Sequence, residues 1–165
     1  GSREYRRVCV CACVCVCMCM CMYVCMLHEG ACMRKGLKRL SSKIKVNGSV
    51  AICQLHHAGM RSPEDLIGQR PVCPSDNEKL NARGLSVAEV EELRDDFIKA
   101  AIRSEEAGFD GVELHGAHGY ILAQFLSSDI NKREDQYGES LTNRSRILFE
   151  IIAVYLCNSV HCIMS

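Results

Sequence analysis

Apolar residues along this chain follow two ordinary rhythms and one unusual one. The run Ser49 to Leu55, SVAICQL, is short, apolar and carries β-branched residues, the pattern of a buried parallel strand. From Val87 the spacing changes, and Val90, Leu93, Phe97 and Ala101 recur at helical intervals. Ser86-Val87-Ala88-Glu89 is a capping box that opens this helix, and Gly108 closes it. A second apolar strand follows from Gly111 to His115. Strand, helix, strand in that order predicts a right-handed βαβ unit, with Val50 to Leu55 and Gly111 to His115 side by side, parallel, and ending on one rim. Further on, Tyr120 to Leu126 is expected as a short helix and Asn143 to about Leu156 as another, with Ile147, Leu148, Ile151 and Ile152 on its buried side. Between the first strand and the first helix lies a loop of about thirty residues, punctuated by Pro63, Pro71 and Pro74. Such a length usually marks a functional loop or lid.

The unusual rhythm occupies Val8 to Leu27, where Cys9, Cys11, Cys13, Cys15, Cys17, Cys19 and Cys21 alternate strictly with Val, Ala or Met. Repeated GTGT triplets encode alternating Val and Cys, and a TGTA repeat encodes Cys-Met-Tyr-Val-Cys-Met, the run from Cys21 to Met26. The segment is therefore read as translated simple-sequence DNA, expected to add no packed core and to bind no specific metal. Three other readings stand beside it. Its length after Arg6-Arg7 suits a membrane span or signal-peptide core, although it holds one Leu and no Ile or Phe. Strict alternation suits a strand with a cysteine face. C-x-C spacing suits a thiolate cluster for soft metals, although no histidine or Cys-x-x-Cys completes a zinc pattern. The remaining cysteines (Cys32, Cys53, Cys73, Cys157 and Cys162) are scattered and odd in number, so they define no disulfide framework. Nothing downstream looks secreted, and a cytoplasmic location is expected. Twenty basic and twenty acidic residues give zero net charge, which argues against nucleic acid or an anionic membrane as a partner.

The chemistry-bearing residues gather where the strands end. In Gly111 to Tyr120, GVELHGAHGY, an apolar strand runs into two histidines and a tyrosine on a glycine-loosened backbone. Gln54 and His57 end the first strand while His115, His118 and Tyr120 end or follow the second, so all five are expected to converge on one rim. Two neighbouring histidines can donate hydrogen bonds to one carbonyl oxygen and stabilise the negative charge that grows there when a conjugated double bond accepts hydride. A phenol holds its proton at neutral pH, so Tyr120 can give the matching proton to carbon. The plainer reading of His-x-x-His is a hydrogen-bonded loop pair, and as a zinc pair it would need a third ligand. Gln54 could simply cap a strand, and His56 is left without a role beyond packing. Arg133, Tyr137 and Arg144 are expected to pin the loop and the helix after it. The Lys and Glu stripe from Glu89 to Glu106 reads as a solvated helix face.

Gly108 to Ile152, GFDGVELHGAHGYILAQFLSSDINKREDQYGESLTNRSRILFEII, resembles the old yellow enzyme or NADH:flavin oxidoreductase family. Upstream, Gln54-Leu55-His56-His57-Ala58-Gly59 is similar to its flavin-side strand motif, QLxHAG. The resemblance implies an α/β fold, a fragment of a (β/α)8 TIM barrel of about two to three βα units. It also implies FMN as cofactor, NADH or NADPH as reductant, and a small-molecule enone or quinone-like substrate. The site residues it implies are His115 and His118 on the substrate carbonyl, Tyr120 as proton donor, and Gln54 and His57 on the flavin, with no metal.

Departures accompany the match. Relatives usually show Gly-Gly-Ser where this chain has Gly138-Glu139-Ser140, and Met60 stands where an arginine usually follows His-Ala-Gly, with Arg61 next to it. No first flavin-facing strand is visible, Ala153 to Ser165 stand where the next strand is expected, and the later phosphate-binding strands are missing. The organisation expected is a non-homologous cysteine-rich segment over 1–45, a partial FMN oxidoreductase barrel over 46–152 and a non-homologous tail over 153–165. A complete barrel needs about 250 residues, so the chain is expected to be an incomplete, inactive fragment. The alternative function is a membrane-tethered or thiolate metal-binding fragment through the cysteine run.

Overall fold

The structure is a computed structural model that describes residues 9–14, 24–25, 31–157 and 162–164, with side chains described from 34 to 155. Its centre is the expected βαβ unit. Strand β3 (Ala51–His56) and strand β6 (Gly111–Leu114) pair in parallel, Ile52 opposite Gly111 through Leu55 opposite Leu114. Helix α3 (Val87–Glu106) joins them, and its capping box is complete, because the Ser86 hydroxyl accepts from the Glu89 amide and the Glu89 carboxylate accepts from the Ser86 amide. Glu89 also takes a two-pronged hydrogen bond from Arg83, at 2.8 and 3.0 Å. That pairing holds its carboxyl down at about 2, so the start of the stripe read as solvated is tied to the loop before it.

Alternation along the strands sorts side chains onto two faces. Ala51, Cys53 and Leu55 on β3 and Val112 and Leu114 on β6 are buried against α3, where Val90, Leu93, Phe97 and Ala101 complete one core with Ile147, Ile151 and Tyr155. Ile52, Gln54, His56, Glu113 and His115 occupy the opposite face. Helix α6 (Arg146–Cys157) packs beside α3, and the Tyr155 hydroxyl donates to the Phe97 carbonyl at 2.8 Å.

Further elements flank the expected unit on both sides. Strand β7 (Cys162–Met164) continues the sheet in parallel beside β6, Val112 opposite Cys162. The expectation that 153–165 would stand in place of the next strand is thereby corrected, since α6 runs on to Cys157 and three apolar or soft residues suffice to pair with β6. Helix α1 (Ala31–Ile44) packs on the turn between α3 and β6 through buried Leu37 and Ser41, whose hydroxyl donates to the Ala107 carbonyl. Lys45 just after it pairs with Asp110 at 2.6 Å. Strand β1 (Cys9–Val14) pairs antiparallel with β3, Cys9 opposite His56 and Val14 opposite Ala51, and β2 (Val24–Cys25) pairs antiparallel with β1. For Cys9–Val14 the alternating pattern is thus realised as a strand of the same sheet, the strand reading that stood beside that of translated simple-sequence DNA. The physical reason is that period-2 Val and Cys offer β-compatible backbone to the open edge of β3. The rest of the cysteine run lies outside the described residues. The sheet order is β2-β1-β3-β6-β7.

The expected loop has structure of its own. Two short helical turns, Gly59–Arg61 and α2 (Glu64–Ile67), lead to a small parallel pair, β4 (Val72–Cys73) with β5 (Arg83–Gly84). After β6 come α4 (Ile121–Leu126) and α5 (Leu141–Arg144), close to the expected short helix and to the start of the last one. Among the described residues no helix is long and apolar enough to cross a membrane.

Candidate active site at the rim of two parallel strands

The ends of β3 and β6 are stitched together by backbone. The His115 amide donates to the Leu55 carbonyl at 3.0 Å, and the Ile121 amide donates to the His57 carbonyl at 2.9 Å, so the loop after β6 folds over the end of β3. Gln124 of α4 fastens it. Fully buried, its amide nitrogen donates to the carbonyls of Ala58 and Gly119 while its oxygen accepts from the Met60 amide. Gly59, at φ 60°, leaves room for this clip, because a Cβ there would sit 2.4 Å from the Gln124 oxygen.

Four rings meet on this rim. The His115 and His118 rings lie 4.9 Å apart, with His115 Nε2 and His118 Nδ1 at 3.1 Å. Tyr120 stands edge to face against His115 at 5.1 Å and stacks on His56 at 5.1 Å with 23° between the planes. His56 and His115 are in edge contact at 6.1 Å. His56 and His115 are buried, Tyr120 is half-buried and His118 is exposed, so the cluster opens to solvent at its outer histidine.

Burial and like neighbours keep the inner rings uncharged. Desolvation, then the His115 ring, pushes His56 down to about 4. His115 is lowered too, by desolvation and then by His118, with Glu113 opposing. Neutral His115 has one N–H. Its Nδ1 is buried without a hydrogen-bond partner, and an orphaned buried acceptor is better tolerated than an orphaned donor. The proton therefore sits on Nε2, aimed at His118 and the rim.

The remaining residues divide between site and support. Gln54 lies on the same face as His56, opposite Glu113 of β6. His57 is buried, and its Nδ1 accepts from the Gly59 amide at 3.0 Å, which places its proton on Nε2. Arg133 donates to the carbonyls of Pro74 and Leu85 and to both oxygens of Asp135. Arg144 donates to the carbonyls of Leu126 and Glu139. The Tyr137 hydroxyl donates to Glu150 at 3.1 Å, and burial, then that carboxylate, pushes it up to about 12. All three pin the loop between α4 and α6, the role expected for them. Arg61 lies against Gly119, where a Cβ would be 2.9 Å from its Nε. His56 and Gln124 carry no role that sequence reasoning assigned beyond packing. For His56 the usable signal was its place two residues after Gln54 on one strand face.

The donor set suits a flavin ring. A carboxamide at Gln54 and the His115 ring lie on the face opposite the core, with His57 just past the end of β3, where a flat heteroaromatic group with acceptors and donors on its edge would be matched.

Residues 26–161 match the model of the NADH:flavin oxidoreductase / NADH oxidase family, a span wider than 46–152. The chain is 43% identical over 123 residues to the probable NADH-dependent flavin oxidoreductase YqiG of Bacillus subtilis, covering 72% of this chain and 32% of that protein. It is 44% identical over 122 residues to an NADPH dehydrogenase of Bacillus cytotoxicus, covering 72% and 34%. Among solved structures it is similar to Old Yellow Enzyme from a Pichia species, with TM-score 0.75 and 28% identity over 82% of this chain and 40% of that one. Morphinone reductase in complex with tetrahydroNAD matches with TM-score 0.69 and 31% identity over 75% and 40%. The chain spans about a third of the length of the two curated relatives. With two ordered motifs on adjacent parallel strands of a βα barrel and a family match across most of its length, the chain belongs to the NADH:flavin oxidoreductase / NADH oxidase family.

Proposed function

We propose that these residues form the substrate rim of an FMN-dependent ene-reductase or NADH oxidase, which reduces an activated C=C of an enone or quinone-like molecule with NADH or NADPH as reductant. The observation that carries the reading is the convergence of His115 Nε2 and His118 Nδ1 at 3.1 Å beside the Tyr120 ring. A carbonyl oxygen that displaces the His115–His118 hydrogen bond takes the Nε2 proton of His115 and, once the His118 proton is on Nδ1, a second hydrogen bond. Both bonds strengthen as negative charge gathers on that oxygen. Tyr120 then passes its hydroxyl proton to the α-carbon. Gln54 and His57 hold the ring of FMN, which when bound supplies the hydride. Among the described residues none is assigned to its phosphate, so the 165-residue chain alone is expected to hold FMN weakly.

The test is Tyr120→Phe in the holoenzyme that contains this chain. Reduction of an enone is expected to fall at least 100-fold while flavin reduction by NADH or NADPH persists, because only the former needs a proton at carbon. Enone reduction at the original rate would overturn the reading.

A further inference from the structure

We propose that His56 is a positioning residue for Tyr120, a flat wall that fixes the phenol in the plane from which it delivers its proton. The inference rests on the proposed role of Tyr120 and deepens it.

Two contacts define where that phenol can lie. One face is covered by the His56 ring at 5.1 Å and 23°, and its other close ring neighbour is His115, at 5.1 Å and 61°. His56 is itself held, because it ends β3, is 4% exposed and meets His115 at 84°. The three rings therefore form a closed set of mutual contacts, His56 to Tyr120, Tyr120 to His115 and His115 to His56. The carbonyl-binding histidine and the proton donor are thus registered against one another through a third, buried ring.

Tyr120 needs this help because its backbone supplies little. It is the residue before α4 rather than within it, with φ −82° and ψ 176°, and the preceding His118 and Gly119 both sit in the left-handed region. A side chain on such a connection has several staggered positions open to it unless packing selects one. A stack of this kind is favourable beyond its burial, and that preference selects one position. Imidazole is also small enough to lie under a phenol without displacing it. Held at about 4 by burial and the His115 ring, it stays uncharged at neutral pH. Misplacing a reacting group by about 1 Å can slow a reaction about 100-fold, so a wall that is lost should be read in the proton-transfer step first.

The experiment compares His56→Phe, which keeps a flat ring, with His56→Leu, which keeps a buried side chain of similar size without one. Both are made in the holoenzyme alongside Tyr120→Phe. His56→Phe is expected to rescue, with enone reduction within about twofold of the parent. His56→Leu is expected to slow reoxidation of the reduced enzyme by an enone about tenfold, with KM for the enone and flavin reduction by nicotinamide within about twofold. Its solvent deuterium isotope effect on that step should rise as proton delivery becomes limiting. If His56→Leu does not fold, His56→Met serves as the flexible, non-aromatic occupant. A non-aromatic variant as fast as the parent, a Phe variant as slow as it, or a parallel fall in flavin reduction would overturn the proposal. Should Tyr120→Phe be fully active, the functional reading fails and this inference with it. Should Tyr120→Phe be slow while the non-aromatic variant keeps the parental rate and isotope effect, this inference alone fails.

Discussion

His118 and Glu139 are both non-glycine residues in the left-handed region, at φ 54° and 60°, and each sits in a short loop that follows a buried element. Their side chains are used in opposite ways. His118 turns its ring to within hydrogen-bond distance of His115 and helps to build the rim. Glu139 is exposed, and it is its backbone carbonyl that the Arg144 guanidinium grips, while Ser140 next to it caps α5. The first loop holds an awkward conformation because a side chain is wanted there, the second because surrounding hydrogen bonds over-determine it. Backbone strain therefore marks chemistry only where the strained residue's own side chain is engaged.

Substitution by glycine separates the two cases. His118→Gly should relax the backbone and yet lower kcat/KM for an enone about 100-fold or more, because one of two carbonyl donors is gone; steady-state kinetics of the holoenzyme would check it. Unchanged kinetics would make the His118 loop no different from the Glu139 loop. Next in size is Gly138→Ala. A Cβ there would lie 1.9 Å from the Arg133 carbonyl oxygen, in a loop fixed by Arg133, so a loss of about 3 kcal/mol is expected by chemical denaturation.

Acid should also tell the loops apart. An unfolded histidine titrates near 6.5, whereas His56 in the fold does so at about 4 and His115 is lowered as well. The unfolded chain thus binds more protons between those values, so stability is full above pH 6.5 and falls towards pH 4, by up to about 3 kcal/mol from His56. Around Glu139 the neighbouring Asp135, raised by burial but lowered more by Arg133 and the Tyr137 amide together, loses its charge only below the ordinary carboxylate range. Hydrogen exchange at pH 5 should then open the His115 to Tyr120 loop before the Arg133 to Ser140 loop. The smallest effect is Glu139→Gly, expected to stabilise by about 0.5 kcal/mol in thermal unfolding, since relief of strain is partly offset by the freer unfolded chain.

How much of this was legible beforehand differs from residue to residue. Helix α3 announced itself through Ser86, Glu89, the Val90-Leu93-Phe97-Ala101 spacing and Gly108, all local signals whose energetics act within one element. Its flanking strands were legible because each is a short apolar run, and the parallel pairing followed from the handedness of the crossover. Helix α1 was passed over although Leu37, Leu40, Ser41 and Ile44 recur at helical spacing, because the anomalous cysteine run beside it coloured the reading of the whole first segment. Gln124 could not be read at all, since a buried glutamine on a short helix gains its meaning only from carbonyls that the fold brings from 66 and 5 residues away.

The sequence by itself determined that a βαβ unit exists and that Gln54, His57, His115, His118 and Tyr120 fall near or just past the C-terminal ends of its two strands. Those outcomes depend on period, capping and strand direction, which are properties of neighbours along the chain. Only the tertiary structure decided that Cys9–Val14 pairs antiparallel with β3, that Cys162–Met164 extends the sheet, and that His56 stacks beneath Tyr120. Edge pairing, the burial of an imidazole and the contact of rings 64 residues apart in sequence depend on which surfaces remain open once the core has closed, and no local pattern carries that information.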